Sequence, residues 1–385
     1  MLLMMLAFLN GCGGGSSSAP PPVVQNPDPI IVAKWTADGD VVNIVLDGND
    51  PTIAYWTIEK AGEVFVAKYV DGQMVWKHRE MQGASFFANA LLSPKDCDFL
   101  NLIATNGIAG KESDGQISVL KISKADGAII SLKNIPNSTT FLDVKLIPGE
   151  TSYQLLLNKT VTTKAVYVQK IDFDGNVVDE MKPDVLWQYQ LYYIDGTTQD
   201  TYMGGTALSN AVLRLNILKV TTADLTNPLV SQQRSFSAAP IASDEMTDLI
   251  VTTTPTKKLY TASKMKLADG TYYTAIHEVG ILTAIYTEVA RMTGSGRLTN
   301  LNADAAGNLY GIMRTQTAGV ETCELYKWTV GTTTLTKLAT LTGHVVDLMV
   351  DASNNTFVMY RSVVGYSYPA IKMEMFDTTS GAKLN

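Results

Sequence analysis

The chain has 385 residues, of which 46% are apolar and only 17% charged, with a formal net charge of -7 and a pI near 5.1. That length supports two or three ordinary domains or one large closed repeat. The acidic balance excludes an extended basic surface of the kind that displaces counterions from nucleic-acid phosphates, so no nucleic-acid partner is expected. Thr, Ser, Gly, Val and Tyr are plentiful, which suits strands and tight turns better than helices.

In chain order, Met1 to Leu9 is almost wholly apolar, too short to span a bilayer and of the length of a signal h-region. Leu9, Asn10, Gly11 and Cys12 follow, and this run resembles a bacterial lipobox. The resemblance implies a lipoprotein signal peptide over residues 1–12, with Cys12 carrying the lipid. Residues 13–29 read GGGSSSAPPPVVQNPDP, a flexible and then extended tether of the kind that lifts a domain off a membrane. Gly13, rather than Asp, follows the Cys. By resemblance to enterobacterial sorting rules this implies the outer membrane, with the protein periplasmic or surface-exposed.

From residue 30 to 385 short strand-like runs alternate with turns, and no helix-length apolar period is present. One unit recurs: a strand, a tight turn with Asp-Gly or an equivalent, and a second strand. The second strands begin near Met74, Ile129, Val177, Leu229, Thr283, Leu335 and Ala382, at intervals of roughly 50 residues. This period predicts an all-β fold, a single β-propeller of about seven four-stranded blades. The first blade is predicted over Val41–Leu46, Thr52–Glu59, Val64–Val70 and Met74–Met81. The last has only three strands of its own, so Ile30–Thr36 is predicted to supply the fourth and close the ring beside Ala370–Phe376. A pair of β-sandwiches is the competing architecture; regular spacing and the lack of a mid-chain linker argue against it.

Asp304 to Ile312 (DAAGNLYGI) and Asp351 to Met359 (DASNNTFVM) resemble the turn and strand of NHL-type and two-component-regulator propellers. Tyr69 to Trp76 (YVDGQMVW) resembles one turn of a quinoprotein-like repeat. These resemblances imply the propeller superfamily without choosing a family.

Candidate chemistry is sparse. Cys97 and Cys323 fall on well-separated blades and are expected to stay unbonded; with no CxxC and no Cys/His cluster, zinc and haem find no ligand set. Asp172, Asp174, Asn176 and Asp179 have some of the spacing of a calcium loop, but the later bidentate Glu is missing and a hairpin explains them. His78, His277 and His344 lie on different blades, and of them only His344, with Asp347 nearby, is placed to face a central channel. Asn43, Asp143, Asp248, Asn300, Asn302 and Asp347 are placed to face it as well, the residue types that metal-dependent propeller lactonases gather at the channel mouth. No catalytic residue, metal or cofactor is expected. The partner-binding residues expected are Tyr366 and Tyr368 in a rim turn, Asp244 and Glu245 in a link on the same rim, and Trp187 in LWQYQLYYI. In that segment a period of two puts Trp187, Tyr189 and Tyr193 on one face. The function expected is a membrane-anchored envelope or cell-surface propeller, a non-catalytic binding or assembly platform for protein or glycan partners. The alternative is an exported propeller hydrolase or lyase with its site at the channel mouth.

Overall fold

A computed structural model describes the chain over residues 35–383, apart from short stretches of which 182–187, 222–229 and 236–244 are the longest. The chain divides into a short unit, Met1–Ile31, which lies outside the described residues, and a main unit, Val32–Asn385. Cys12, the tether and residues 30–34 of the predicted closing strand therefore lie outside the description.

Every regular element described is a strand. β1 (Trp35–Thr36) belongs to the last sheet. The first blade follows as β2 (Asp40–Leu46), β3 (Ile53–Lys60), β4 (Glu63–Val70) and β5 (Gln73–Met81), each antiparallel to the one before it. Next come β6 (Phe86–Leu92), β7 (Phe99–Ile108), β8 (Lys111–Ser123), β9 (Ile129–Asn134), β10 (Ser138–Leu146), β11 (Ser152–Thr160), β12 (Lys164–Asp172) and β13 (Val177–Met181). Three further blades are β14 (Gln188–Ile194) to β17 (Val230–Ser235), β18 (Glu245–Thr252) to β21 (Ile285–Thr293), and β22 (Arg297–Ala303) to β25 (Leu335–Leu341). Their middle strands are β15 (Asp200–Ser209), β16 (Val212–Thr221), β19 (Lys258–Lys266), β20 (Tyr272–Gly280), β23 (Leu309–Thr317) and β24 (Val320–Trp328). The last blade is β26 (His344–Val350), β27 (Asn355–Val364) and β28 (Ser367–Asp377), completed by β1.

The expectation of about seven four-stranded blades is corrected by this topology. Five sheets are four-stranded blades, whereas β6 to β13 form one eight-stranded sheet in the order β13-β12-β11-β10-β8-β7-β6, with β9 also on β8. The cause is the length of β8. Its thirteen residues run past the end of its own hairpin, and Asp114 pairs with Thr140 of β10.

The last blade is closed by the N-terminal part of the chain. Trp35 pairs with Ile371 and Thr36 with Ala370, so β28 has a hydrogen-bonded neighbour on its outer side.

Burial follows from stacking. Second strands are covered on both faces, so they are buried continuously rather than alternately. Ala54, Tyr55, Trp56, Thr57 and Ile58 of β3 are all buried, as are Leu259 to Ser263 of β19. Outer strands are the opposite: five of the six residues of β9 are exposed. Between neighbouring sheets lie separate apolar clusters. Tyr55, Val66, Leu91 and Leu120 join the first blade to the next sheet, and Ile250, Ala290, Leu298 and Trp328 join the β18 and β22 blades.

The turns bear out the local chemistry read from Asp-x-x-Gly-Asn. Asp172 accepts the backbone N–H groups of Asp174 and Asn176 at 3.0 and 2.8 Å and the Asn176 side-chain amide at 2.7 Å, with Gly175 at a φ of 82°. Asp304 repeats this with Ala306 and Asn308 and also accepts the Tyr310 hydroxyl at 3.0 Å. Asp172 is thus a hairpin residue. Cys97 and Cys323 are free thiols, the latter buried.

Candidate functional site

Antiparallel order fixes which loops share a rim. Turns from first to second and from third to fourth strand lie on one rim, called here the hairpin rim. The turns from second to third strand and the links between blades lie on the other. The first strands of the five four-stranded blades, together with β6 and β10 of the eight-stranded sheet, converge on the axis, and each carries a register shift in its pairing with the next strand. The shifts fall between Val41 and Asn43, Ala88 and Ala90, Phe141 and Asp143, Tyr189 and Leu191, Met246 and Asp248, Thr299 and Asn302, and Val345 and Asp347. A bulge leaves backbone groups outside the ladder and re-aims the side chains beside it.

The polar residues expected to face the channel sit at or next to these bulges. A cleft of about 560 Å³ is lined by Lys145, Tyr193, Asp248, Asn300, Asn302 and Arg314, with further residues from β10, β14, β18, β22 and β26. Five first strands contribute to one space, which places it on the ring axis. A smaller cleft of about 210 Å³ continues along Tyr193, Ile250, Asn302 and Asp304.

Most of these side chains are bonded to backbone across the blade boundaries. Asp248 accepts the N–H of Leu249 at 2.7 Å and, from the next blade, that of Leu301 at 2.8 Å. The Asn302 amide donates to the Leu348 carbonyl of the last blade at 3.1 Å, and the Asn43 amide to the Ala88 carbonyl at 3.2 Å. Asp143 accepts its neighbour Val144 N–H at 2.8 Å and faces Lys145 Nζ at 3.6 Å. Burial pushes the carboxyls of Asp143 and Asp248 up, and Asp248 reaches about 6. Its two backbone hydrogen bonds and the Lys145 charge pull it down, and the charge of Asp143 pushes it up again.

Arg314 of β23 is a residue that the sequence reading missed. Its Nη2 donates to Asn300 Oδ1 at 2.9 Å and to the Val345 carbonyl at 2.8 Å, Nε donates to Thr299 Oγ1 at 2.9 Å, and Nη1 donates to Glu321 at 3.0 Å. Glu321 also faces His344 Nδ1 at 3.0 Å and accepts the Cys323 thiol at 3.2 Å. Burial raises the Glu321 carboxyl, but the thiol hydrogen bond and the charges of His344 and Arg314 outweigh it and hold the group below its ordinary value. Asn300 adopts a φ of 55°, a left-handed conformation that Asn tolerates better than most residues. The only sequence signal for Arg314 was a charged residue ending the apolar run Leu309–Met313.

The other expected site residues are scattered or lie outside the description. Cys12, Trp187, Asp244 and Tyr366 lie outside the described residues. Tyr368 is in β28, and its side chain is not described. Glu245 opens β18 on the link rim and accepts Arg297 Nη2 at 3.0 Å. His344 opens β26 and faces Glu321 beside Arg314, whereas His277 is buried in β20 and His78 sits on β5. The bulge at Gln190 changes the phase of β14: Tyr189 pairs with Gly205 and Tyr193 with Tyr202, so a single period of two does not run through the strand. Among the described residues no group of three His, Cys, Asp or Glu side chains is arranged to hold a metal ion.

No protein-family model matches the chain, and no curated protein matches its sequence at a significant level. Among solved structures it is similar to the β-propeller domain of Cps50 (Swd1) from Myceliophteria thermophila, at 12% identity and a TM-score of 0.52 over 89% of this chain and 99% of that one. The β-propeller domain of the Trilobed protease from Pyrococcus furiosus gives 8% identity and a TM-score of 0.53, over 91% and 98%. Raptor from Chaetomium thermophilum gives 7% and 0.54 over 88% of this chain and 28% of that one. At these identities the likeness shows the fold alone, an all-β single β-propeller. The Pyrococcus propeller is described as having an open velcro topology; here β1 is hydrogen-bonded to β28.

Proposed function

We propose that the protein is a lipid-anchored envelope propeller that holds a protein or glycan partner on its rim and does not process a substrate in its channel. The observation that carries this reading is the bonding of the channel groups. Asp248, Asn302 and Asn43 each reach the backbone of a neighbouring blade, and the Arg314 guanidinium is shared among Asn300, Thr299, Val345 and Glu321. Groups held in this way stiffen a ring, while hydrolysis needs a nucleophile or bound water with a base in reach. The apolar run before Cys12 and the Gly/Ser/Pro tether after it support export and a lipid anchor.

Two measurements test the proposal together. Cells carrying Cys12→Ala should release the protein from the membrane fraction into the soluble one. The purified protein should hydrolyse δ-gluconolactone at the blank rate with Ca²⁺, Mg²⁺ or Zn²⁺ added. Unchanged membrane association of the variant would overturn the anchor. Metal-dependent turnover lost in Asp248→Asn would overturn the non-catalytic reading and favour the channel hydrolase.

A further inference from the structure

We infer that a stripe of exposed aliphatic side chains on the outer edge of the ring docks on the lipid surface to which the anchor ties the protein; the inference rests on the anchored reading above. Met74 and Val75 open β5, Ile129, Ile130 and Leu132 lie on β9, and Val177 and Val178 open β13, each of them about half exposed. These are three outer strands in succession around the ring, and all seven residues lie toward its hairpin rim.

The three outer strands are tied to one another. Trp76 Nε1 donates to the Lys124 carbonyl in the β8–β9 turn at 3.3 Å, and a Cβ on Gly127 in that turn would meet the Trp76 and His78 rings at 2.9 Å. The β12–β13 turn presses on β9 in the same way: Lys121 pairs with Asp174 at 2.7 Å, Lys133 bonds Asn176, and a Cβ on Gly175 would meet Lys133 Cβ at 3.2 Å. Each turn thus bridges one outer strand to the next, so the exposed aliphatic groups of β5, β9 and β13 follow one another along one edge of the ring.

Two observations favour lipid as the occupant. The first is where the chain comes in. β1 runs antiparallel to β28, so the chain enters it from the hairpin rim, on the outer edge of the last blade and next to the blade that carries Met74 and Val75. Residues 13–34 separate Cys12 from β1, and an extended chain of that length reaches at most about 80 Å. An anchored ring therefore meets its bilayer at a high effective concentration, at which a weak apolar contact suffices. The second is composition. The large hydrophobic side chains exposed here are all Val, Ile, Leu or Met, and the Trp beside them, Trp76, is held against the β8–β9 turn rather than offered as the kind of aromatic anchor that centres protein interfaces. Side chains reaching the boundary of headgroups and acyl chains leave the strand backbone in the hydrated layer, where its free edge groups keep their water.

The test uses the full acylated chain in a Cys97→Ser background, with an environment-sensitive dye on Ile130→Cys or, as the opposite-rim comparison, on exposed Val320→Cys. In phosphatidylcholine vesicles the dye at 130 should brighten several-fold, shift to the blue and be quenched by brominated lipid, and the dye at 320 should not. Adding Met74→Ser and Val178→Ser should abolish the response at 130. A dye at 130 as open to iodide in vesicles as in detergent, on protein whose acylation is confirmed by mass, overturns the docking and leaves the anchor intact. A response that grows with protein concentration in the absence of lipid identifies a second copy as the occupant and also overturns it. If Cys12→Ala stays with membranes while the dye still responds, the docking stands and the anchor falls.

Discussion

Replacing Asp248 by Asn should convert a pH-dependent weakness of the ring into a pH-independent one. The carboxyl titrates near 6 in the folded protein, against an ordinary value of 3.8. Between those values the folded state holds a proton that the unfolded chain has released, so stability falls as pH rises through the window. Below about pH 4 both states are protonated and nothing is lost; above about pH 6 the folded state carries a buried charge that costs about 3 kcal/mol. Asn cannot ionise, but its NH2 replaces an oxygen that can accept from Leu249 or Leu301 N–H in the acid as well as in the carboxylate, at a pH-independent cost of roughly 1–2 kcal/mol. The variant should therefore be less stable than the parent at pH 4 and equal or more stable at pH 7.5. The assay is urea unfolding of both proteins at half-unit steps, taking the difference at each pH so that every other titrating group cancels. A difference that stays flat from pH 4 to 7, or moves in the parent's favour as pH rises, refutes the assignment of a raised carboxyl at this site.

Three further expectations follow from local geometry. Gly381→Ala should cost more than about 2 kcal/mol, because its φ of 70° disfavours a side chain and the added Cβ strikes the Leu338 carbonyl; Gly331→Ala, at φ 86° in open space, should cost only about 1 kcal/mol, and equal denaturation midpoints for the two would contradict this. Thiol titration of the unreduced, denatured mature protein should find both Cys97 and Cys323 reactive, whereas in the native protein Cys323, buried and pushed up to about 11, should react far more slowly than Cys97; a 97–323 linkage in a peptide map would break the strand assignment. Removing residues through Thr36 should leave β28 with an open edge, read as faster amide exchange around Ala370 and Ile371; unchanged protection there would show that β1 does not close the blade.

What could be read from the sequence was local. The turns at Asp172 and Asp304 were legible because an Asp, a Gly and an Asn within five residues determine their own hydrogen bonds. Of the polar residues expected to face the channel, Asp248, Asn300 and Asn302 line the axial cleft, whereas Asn43 and Asp143 are not among its lining residues. Arg314 was not legible, because Asn300 lies 14 residues away on the paired strand, and Val345 lies 31 residues away on the next blade and is met only when the two blades stack. The phase of the first strands was not legible either: a bulge inserts a residue without any Gly or Pro to announce it, as at Gln190 and Thr247. The joining of β8 to β10 rests on the Asp114–Thr140 pair in a polar segment, GKESDG, whose composition gives no strand signal. The residues expected as contact points were chosen for exposure and chemistry, and the one of them whose side chain is described, Glu245, opens β18 and pairs with Arg297.

Ring closure itself accounts for the polarity of the channel. First strands crowd at the axis, and each accommodates the twist of its sheet with a bulge. A bulge withdraws backbone groups from the ladder, and at the axis those groups lie where a missing partner costs free energy. Leu301 N–H lies within one such bulge, Ala88 and Leu348 carbonyls beside two others, and their partners are Asp248, Asn43 and Asn302. A short polar side chain at the bulge thus completes the neighbouring blade's backbone and fixes one blade to the next. Asp248 shows that this arrangement holds even at the expense of a carboxyl raised to about 6. Carboxylates and amides in a propeller channel therefore follow from closure before they argue for catalysis. The surfaces that closure does not explain are the charged link rim around Arg297, Arg314 and His344 and the aliphatic outer edge from Met74 to Val178. Recognition in this protein is to be sought on those two surfaces.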